Sequence, residues 1–330
     1  MRIETGDSGM DEEQAVHAEH VRGLWTSHAP LLREAHDLRG GIIWKKARGH
    51  EYLYRYFQEP LTGRKAFVGL GRRSPETEAE HARYLSRRDE VQASLAQSMP
   101  RLENAGRVAR ALRLARLPSF AGEIVHGLWR DGLMDGRLRV MGSMAMFGYE
   151  LDAETLMPSP LVRGNSLCFL VQGDIDDPLA EVAASLVTSA GRGFTPSRRD
   201  HGHLAFDGQD GSVEFRTVAS LATDLRDRDL DEDRIDVVVE AMALPAWQGV
   251  AVARNARVVP LVTIDPRAYA LLTAAFAATD HDEERADLLA KRVEFIGSAV
   301  LAKVGVTFEP HQADLFEAFE ADQHLDRLRI

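Results

Sequence analysis

The chain contains 330 residues, of which 45% are hydrophobic and 28% charged, with a net charge of −11 at pH 7. This length predicts two or three compact units, and the composition is that of an ordinary globular protein. No apolar run is long enough to span a bilayer, and the acidic start lacks the apolar segment of a secretory signal. The single cysteine, Cys168, excludes an intrachain disulfide. We therefore expect a cytoplasmic protein without membrane contact.

Residues 1–40 predict a short disordered tail followed by a helix. The first ten residues are polar, and over residues 11–39 apolar positions such as Val16 and Leu24 recur among charged ones. Gly40 and Gly41 then end the helical pattern.

Residues 41–73 predict a small antiparallel sheet. Three runs rich in β-branched and aromatic residues are separated by Arg48-Gly49 and by the turn residues at 60–63. Such runs between turn residues are typical of strands joined by short connections. We therefore predict a three-stranded antiparallel meander.

Positive charge is concentrated in this meander. Residues 44–73 carry a net charge of +6, and the rest of the chain therefore carries −17, which indicates a local anionic partner on an otherwise acidic protein. The basic residues that we predict to contact nucleic acid are Lys45, Lys46, Arg48 and Arg55. Aromatic side chains lie between them and could stack on bases. A packed small sheet with one basic, solvated face fits the same pattern, and the sequence leaves both interpretations open.

Residues 74–135 predict a helical region. Ser74, Pro75 and Glu76 supply an N-cap, a proline at the first helical position and an acid in the first turn. The pattern continues to about Leu117, with a possible break at Pro100, and a second helix begins at Pro118.

Residues 136–264 predict a mixed core, and residues 265–330 a C-terminal helical region. Apolar runs predict buried strands at 138–141 and 166–171, whereas 178–190 predicts a helix. Two hairpins are predicted, at 203–218 and 249–264. The segment 235–246 fits a helix and a strand equally well. Cys168 lies within the second strand and is interpreted as a small buried hydrophobe rather than a reactive thiol.

A turn at Gly142-Ser143 joins the strand at 138–141 to a short helical run that ends in Tyr149-Glu150. Further distinctive segments, in the same order along the chain, are Trp44-Lys45-Lys46, Gly69–Glu78, Arg110–Leu114 and Asp265-Pro266-Arg267. Together these segments resemble a bacterial nucleotidyltransferase-fold family of the DNA polymerase β-like superfamily. The resemblance implies an α+β fold: a nucleotidyltransferase-like mixed sheet with helices, preceded by a small β-meander and helices and followed by a C-terminal helical region.

The resemblance also implies where a nucleotide would bind. In such proteins the Gly-Ser turn holds a triphosphate, and an Asp-x-Asp pair with a third acid holds Mg²⁺. Here the pair falls by spacing on Asn165 and Leu167, and the third acid on Glu214. The expected nucleotide-binding residues are therefore Gly142, Ser143 and Asn165, and the expected catalytic acid is Glu214. Mg²⁺ and a nucleoside triphosphate are expected cofactors only if the protein is active.

Each of these residues also has a structural interpretation. Gly142-Ser143 alone fits an ordinary serine-capped turn, and Glu214 fits an exposed strand acid. His201 and His203 are the histidines nearest to each other in the sequence, and we interpret that spacing as incidental. The sequence predicts no intact metal site, because only one of three carboxylates is present at the expected positions.

A second acidic pair, Asp174 and Asp176, lies just after the strand at 166–171. In one interpretation this pair supplies relocated metal ligands. In the other, favoured because Pro178 follows closely, the acids cap the next helix.

Three hypotheses follow. The favoured one is a catalytically degenerate nucleotidyltransferase-fold protein that binds a nucleotide or a partner in a regulatory role. The second is an active Mg²⁺-dependent nucleotidyltransferase that uses Asp174, Asp176 and Glu214. The third is a nucleic-acid-binding module built on the basic meander.

Overall fold

The computed structural model describes residues 9–58, 64–134, 137–162, 164–173, 187, 193–200 and 202–327. The chain is an α+β protein. A three-stranded antiparallel sheet and helices come first, an eight-stranded mixed sheet forms the centre, and helices complete the chain. The predicted fold class and the predicted order of its parts are confirmed.

The strands form two separate sheets. The strands of the small sheet, in the order β1-β2-β3, are β1 Gly41–Ala47, β2 His50–Gln58 and β3 Lys65–Arg72. The strands of the large sheet are β4 Ala115–Leu117, β5 Leu138–Met141, β6 Ser166–Val171, β7 Thr195–Asp200, β8 His203–Gly208, β9 Gly211–Thr217, β10 Trp247–Ala253 and β11 Val258–Thr263. Their spatial order is β4-β10-β11-β5-β6-β9-β8-β7.

Helices flank both sheets. The α-helices are α1 Glu12–Asp37, α2 Pro75–Ala111, α3 Ser119–Arg130, α4 Phe147–Glu150, α5 Val218–Arg226, α6 Glu232–Met242, α7 Pro266–Ala278, α8 Glu283–Phe295, α9 Ala302–Val304 and α10 Pro310–Arg327. Short 3₁₀ helices span Gly142–Met146 and Ser159–Leu161, and a π-helical turn spans Ile296–Leu301. In the part of the chain that the structure describes, none of these helices combines the length and the apolar composition needed to cross a bilayer.

The small sheet rests on α1 and α2 through a core of its own. Helix α2 begins at the predicted cap, where the Ser74 hydroxyl accepts a hydrogen bond from the backbone of Thr77, and it continues through Pro100. Ile42 and Leu53 from the sheet pack against Tyr84 of α2. One face of the small sheet therefore packs on helices around Ile42 and Leu53, and the opposite face points away from them.

Two strands of the large sheet were not predicted. Helix α2 ends at Ala111 rather than continuing to Leu117, and Arg113 then adopts a left-handed backbone with φ of 62°. The next residues form β4, which pairs in parallel with β10. Strand β7 is polar and lies at the other edge of the described sheet, where it pairs with β8. β4 becomes a strand by pairing with β10, which is remote in sequence, and β7 by pairing with β8 at the edge of the sheet. Their own residues carry no clear strand pattern, so the sequence does not reveal them.

The centre of the large sheet brings three strands side by side. β5 and β6 are antiparallel, with Met141 opposite Cys168, and β6 and β9 are parallel, with Cys168 opposite Glu214. The helical segment after β5 crosses β10 closely, since a Cβ added to Gly249 would lie 2.1 Å from the Gly148 carbonyl oxygen. This close backbone approach fixes the position of α4 over the sheet.

Candidate functional site

The Gly142-Ser143 turn lies at the end of β5, where the chain enters the 3₁₀ helix. Gly142 has φ of 65°, a left-handed conformation that glycine adopts without strain. A Cβ at this position would lie 3.9 Å from the Cβ of Cys168 on β6. Gly142 and Ser143 are both partly exposed, so the turn is accessible and lies directly beside β6.

Tyr149 and Glu150 hold the helix that follows the turn. The buried Tyr149 hydroxyl donates a 2.7 Å hydrogen bond to the Ile264 carbonyl oxygen. The Glu150 carboxylate forms a 2.9 Å ion pair with Arg116 and accepts a 2.8 Å hydrogen bond from the Met157 backbone. Burial raises the pKa of Glu150 to about 7, although Arg116 and the Met157 N–H act in the opposite direction. These contacts anchor the segment that positions the turn.

Glu214 lies on β9 next to the middle of β6. The Ser166 hydroxyl donates a 2.8 Å hydrogen bond to one Glu214 oxygen, and His203 Nε2 lies 3.3 Å from the other. The Glu214 side chain is 28% exposed, whereas the neighbouring Val213 and Phe215 are fully buried on the opposite face. Glu214 is therefore a half-buried, partnered carboxylate on β9, with β6 between it and the turn.

Asn165 and Leu167 do not share the face of Glu214. Leu167 is fully buried and lies opposite Val213, and Asn165 is exposed just before β6, with its carbonyl accepting a hydrogen bond from the Ser212 backbone. The side chains of β6 that share the face of Glu214 are Ser166, Cys168 and Leu170, of which Ser166 and Cys168 lie toward the turn. Asn165 and Leu167 therefore do not converge with Glu214, and a pair of acids on its face would have to stand one residue later.

These residues do not suit a pair of magnesium ions. Mg²⁺ prefers carboxylate and water oxygens in octahedral geometry, and Glu214 is the one carboxylate among Ser166, Cys168 and Glu214. Burial, followed by the nearby Glu214 charge, raises the pKa of the Cys168 thiol far above its usual range, and sulfur is a soft ligand that suits Mg²⁺ poorly. Across the residues that the structure describes, no cluster of three histidine, cysteine or acidic side chains is placed to hold a metal.

Asp174 and Asp176 lie outside the described residues. The described backbone before them nevertheless has a clear direction. β6 begins near Gly142 and ends at Val171, which pairs with Leu138 at the far end of β5. At about 3.3 Å per residue, β6 therefore runs away from the turn.

Two arginines on the same face of the sheet were not predicted. Arg216, two residues after Glu214, is paired with Asp224 of α5. Arg139, opposite Leu170, is buried and donates hydrogen bonds to the carbonyl oxygens of Met242 and Leu244. Residues two apart on a strand point to the same face, and Arg216 lies two residues from Glu214, as Arg139 does from Met141. This spacing is the sequence signal that places both arginines on this face.

The predicted nucleic-acid contacts are divided between the two faces of the small sheet. Lys45 lies on the outward face, opposite Tyr52, whereas Lys46 lies opposite Glu51 on the face that packs on the helices. Arg55 is also on the helix-facing side, where it donates a hydrogen bond to the Asp37 carbonyl and lies over the Tyr84 ring. Arg48 is exposed in the β1–β2 turn.

The core thus combines a mixed sheet, a Gly-Ser turn at the end of one strand and an acid on a nearby strand, the arrangement that the resemblance to nucleotidyltransferases implied. A model of a family described as "Nucleotidyltransferase" matches residues 119–292, just over half of the chain. The protein therefore belongs to this nucleotidyltransferase family. No curated protein and no solved structure matches the chain significantly.

Proposed function

We propose that this protein binds a nucleoside triphosphate at the Gly142-Ser143 turn without transferring the nucleotide, and that binding serves a regulatory role. Family membership supports the nucleotide-binding part. The observation that carries the second part is the presence of Ser166 and Cys168 on the face of Glu214, where two carboxylates would be needed. One half-buried carboxylate supplies too little negative charge for the two-ion arrangement that nucleotidyl transfer uses.

The turn itself can recognise phosphate. Backbone N–H groups at the start of a helical segment are favourable partners for an anion, and the Ser143 hydroxyl can donate a further hydrogen bond. Phosphate recognition of this kind uses neutral dipoles and does not require the missing carboxylates. Nucleotide binding at the turn can therefore persist where nucleotidyl transfer is lost.

Calorimetric titration with the four common nucleoside triphosphates tests this proposal. We expect at least one of them to bind, with an affinity that changes less than about three-fold when Mg²⁺ is removed by a chelator, because recognition rests on the turn rather than on metal-bridged carboxylates. Loss of one hydrogen bond in Ser143→Ala should weaken binding about five-fold. Ser298→Ala, a change at an exposed helical serine remote in sequence from the turn, is the matched control and should leave the affinity unchanged.

The competing hypothesis, active transfer with Asp174, Asp176 and Glu214, predicts a different result. Mg²⁺-dependent incorporation of labelled nucleotide into an acceptor, abolished by Glu214→Ala, would overturn the degenerate assignment. Failure of all four triphosphates to bind would overturn nucleotide binding at the turn.

A further inference from the structure

The outward face of the small sheet combines aromatic rings with basic side chains. Tyr52, Tyr54 and Tyr56 alternate along β2 and therefore share one face. Cross-strand pairing places further members of the outward face opposite them: Lys45 from β1 and Phe67 and Arg72 from β3, with Lys65 two residues before Phe67. This set of seven residues is called the aromatic–basic face below.

The charges on this face all have the same sign. Within the three strands the one acidic residue is Glu51, which lies on the opposite face and is paired with Arg73 at 2.6 Å. Lys45, Lys65 and Arg72 are exposed. Because the rest of the chain is strongly acidic, this face is a local positive surface that favours a polyanion and repels a second copy of itself.

The rings and cations lie close enough to act together. Lys45 Nζ lies 3.4 Å from the centre of the Phe67 ring and 5.5 Å from that of Tyr54, and Lys65 Nζ lies 5.8 Å from that of Tyr56. Phe67 is 45% exposed, which is unusual for a large apolar side chain. Stacking of a base on an aromatic ring is generally stronger than an exposed cation–π contact. A base can therefore displace Lys45 from the Phe67 ring while the ammonium group binds a phosphate.

We propose that the aromatic–basic face binds single-stranded nucleic acid. Alternate residues of β2 are about 7 Å apart, whereas stacked bases on one strand are about 3.4 Å apart. Neighbouring tyrosines therefore suit bases that are separated from each other, as in single strands, rather than the closed stack of a duplex. The small sheet precedes the residues matched by the nucleotidyltransferase family, so this site is separate from the proposed nucleotide site and does not depend on it.

Fluorescence anisotropy with labelled oligonucleotides tests the proposal. The probes are a twelve-nucleotide single-stranded RNA, the DNA of the same sequence, and the corresponding DNA duplex. We expect both single strands to bind more tightly than the duplex, with a logarithmic salt slope near −2 because three cations each release about 0.7 counterion from a single strand. Equal or tighter binding of the duplex would overturn the proposal, as would absence of binding at low salt.

Lys45 and Lys46 supply a matched pair of variants. Both are exposed on β1, but Lys45 belongs to the aromatic–basic face and Lys46 lies opposite Glu51. Lys45→Ala should weaken single-strand binding at low salt by about three-fold or more and make the salt slope shallower by about 0.7, and Lys46→Ala should change the affinity less than two-fold. Tyr54→Thr, which keeps a good strand-forming residue, should weaken binding about five-fold or more with little change in the salt slope.

The reverse pattern would identify a different surface. Equal losses in Lys45→Ala and Lys46→Ala would indicate a diffuse electrostatic attraction and overturn the assignment of the outward face. A concentration-dependent dimer that dissociates in Phe67→Ser, together with no binding of the oligonucleotides, would show that a second copy covers this face instead.

Discussion

Replacement of Ser166 and Cys168 together by aspartate is expected to make the stability of this protein depend on Mg²⁺. The double variant would place three carboxylates on one face beside the Gly142-Ser143 turn, with Glu214 as the third. Cys168 is buried, so without a cation the added charges should lower the free energy of unfolding by about 3 kcal/mol. A magnesium concentration 100-fold above its dissociation constant should restore about 2.7 kcal/mol.

Thermal unfolding in chelator and in excess Mg²⁺ measures this effect directly. The wild type should respond by less than about 0.5 kcal/mol, because it has one of the three carboxylates. Adding Glu214→Gln to the double variant should remove most of the response and serves as the control. If the wild type and the double variant gained the same stability from Mg²⁺, Ser166 and Cys168 would not occupy the positions of the missing acids.

The strands of the fold were predictable wherever the sequence has sharp boundaries. β5 and β6 are short buried apolar runs, and both were predicted with the ends that the structure gives them. The small sheet was predictable for the same reason, since glycine and proline separate its strands. β4 and β7 escaped prediction because their strand state depends on pairing with β10 and β8, not on their own composition.

The candidate site shows how sensitive such predictions are to register. Spacing placed the missing acids at Asn165 and Leu167, but a shift of one residue moves every strand side chain to the opposite face. Cross-strand pairing shows that Ser166 and Cys168, not Asn165 and Leu167, share the face of Glu214. In the same way, nothing in the sequence connects His203 with Glu214. The pairing of β8 with β9 places His203 Nε2 3.3 Å from a Glu214 oxygen. Long-range pairing, which one sequence does not display, decides both points.

Breaking the ion pair between Arg116 and Glu150 should have the second large effect on stability, because both charges lie in the interior beside the helix that follows the turn. The two side chains are 17% and 5% exposed, and Arg116 also donates a 2.6 Å hydrogen bond to the Met157 carbonyl oxygen. Removing one member of such a pair leaves the other charge without compensation and usually costs about 3–5 kcal/mol. Arg116→Met keeps an unbranched apolar stem and removes only the charge and the donors.

The cost of Arg116→Met should depend on pH in a defined direction. The pKa of Glu150 is raised from 4.5 to about 7 in the folded wild type, and loss of Arg116 raises it further because the positive charge that favours the carboxylate is gone. Between pH 4.5 and 7 both folded proteins keep the proton while both unfolded chains lose it, so both lose stability in parallel. Above pH 7 the wild type ionises and its stability levels off, whereas the variant continues to lose about 1.4 kcal/mol per pH unit until its own pKa is reached.

Urea unfolding at pH 6 and pH 9 should therefore show a gap between Arg116→Met and wild type that is about 1–2 kcal/mol at pH 6 and about 3–4 kcal/mol at pH 9. The double variant Arg116→Met, Glu150→Gln is the control. Its amide can still accept the Met157 hydrogen bond but has no charge to bury, so its gap to Glu150→Gln should be the same at both pH values. The contrary result would be a gap in unfolding free energy between Arg116→Met and wild type that stays constant above pH 7. That result would show that solvent or other groups stabilise the Glu150 carboxylate, and that the helix after Gly142-Ser143 does not depend on Arg116 for charge compensation.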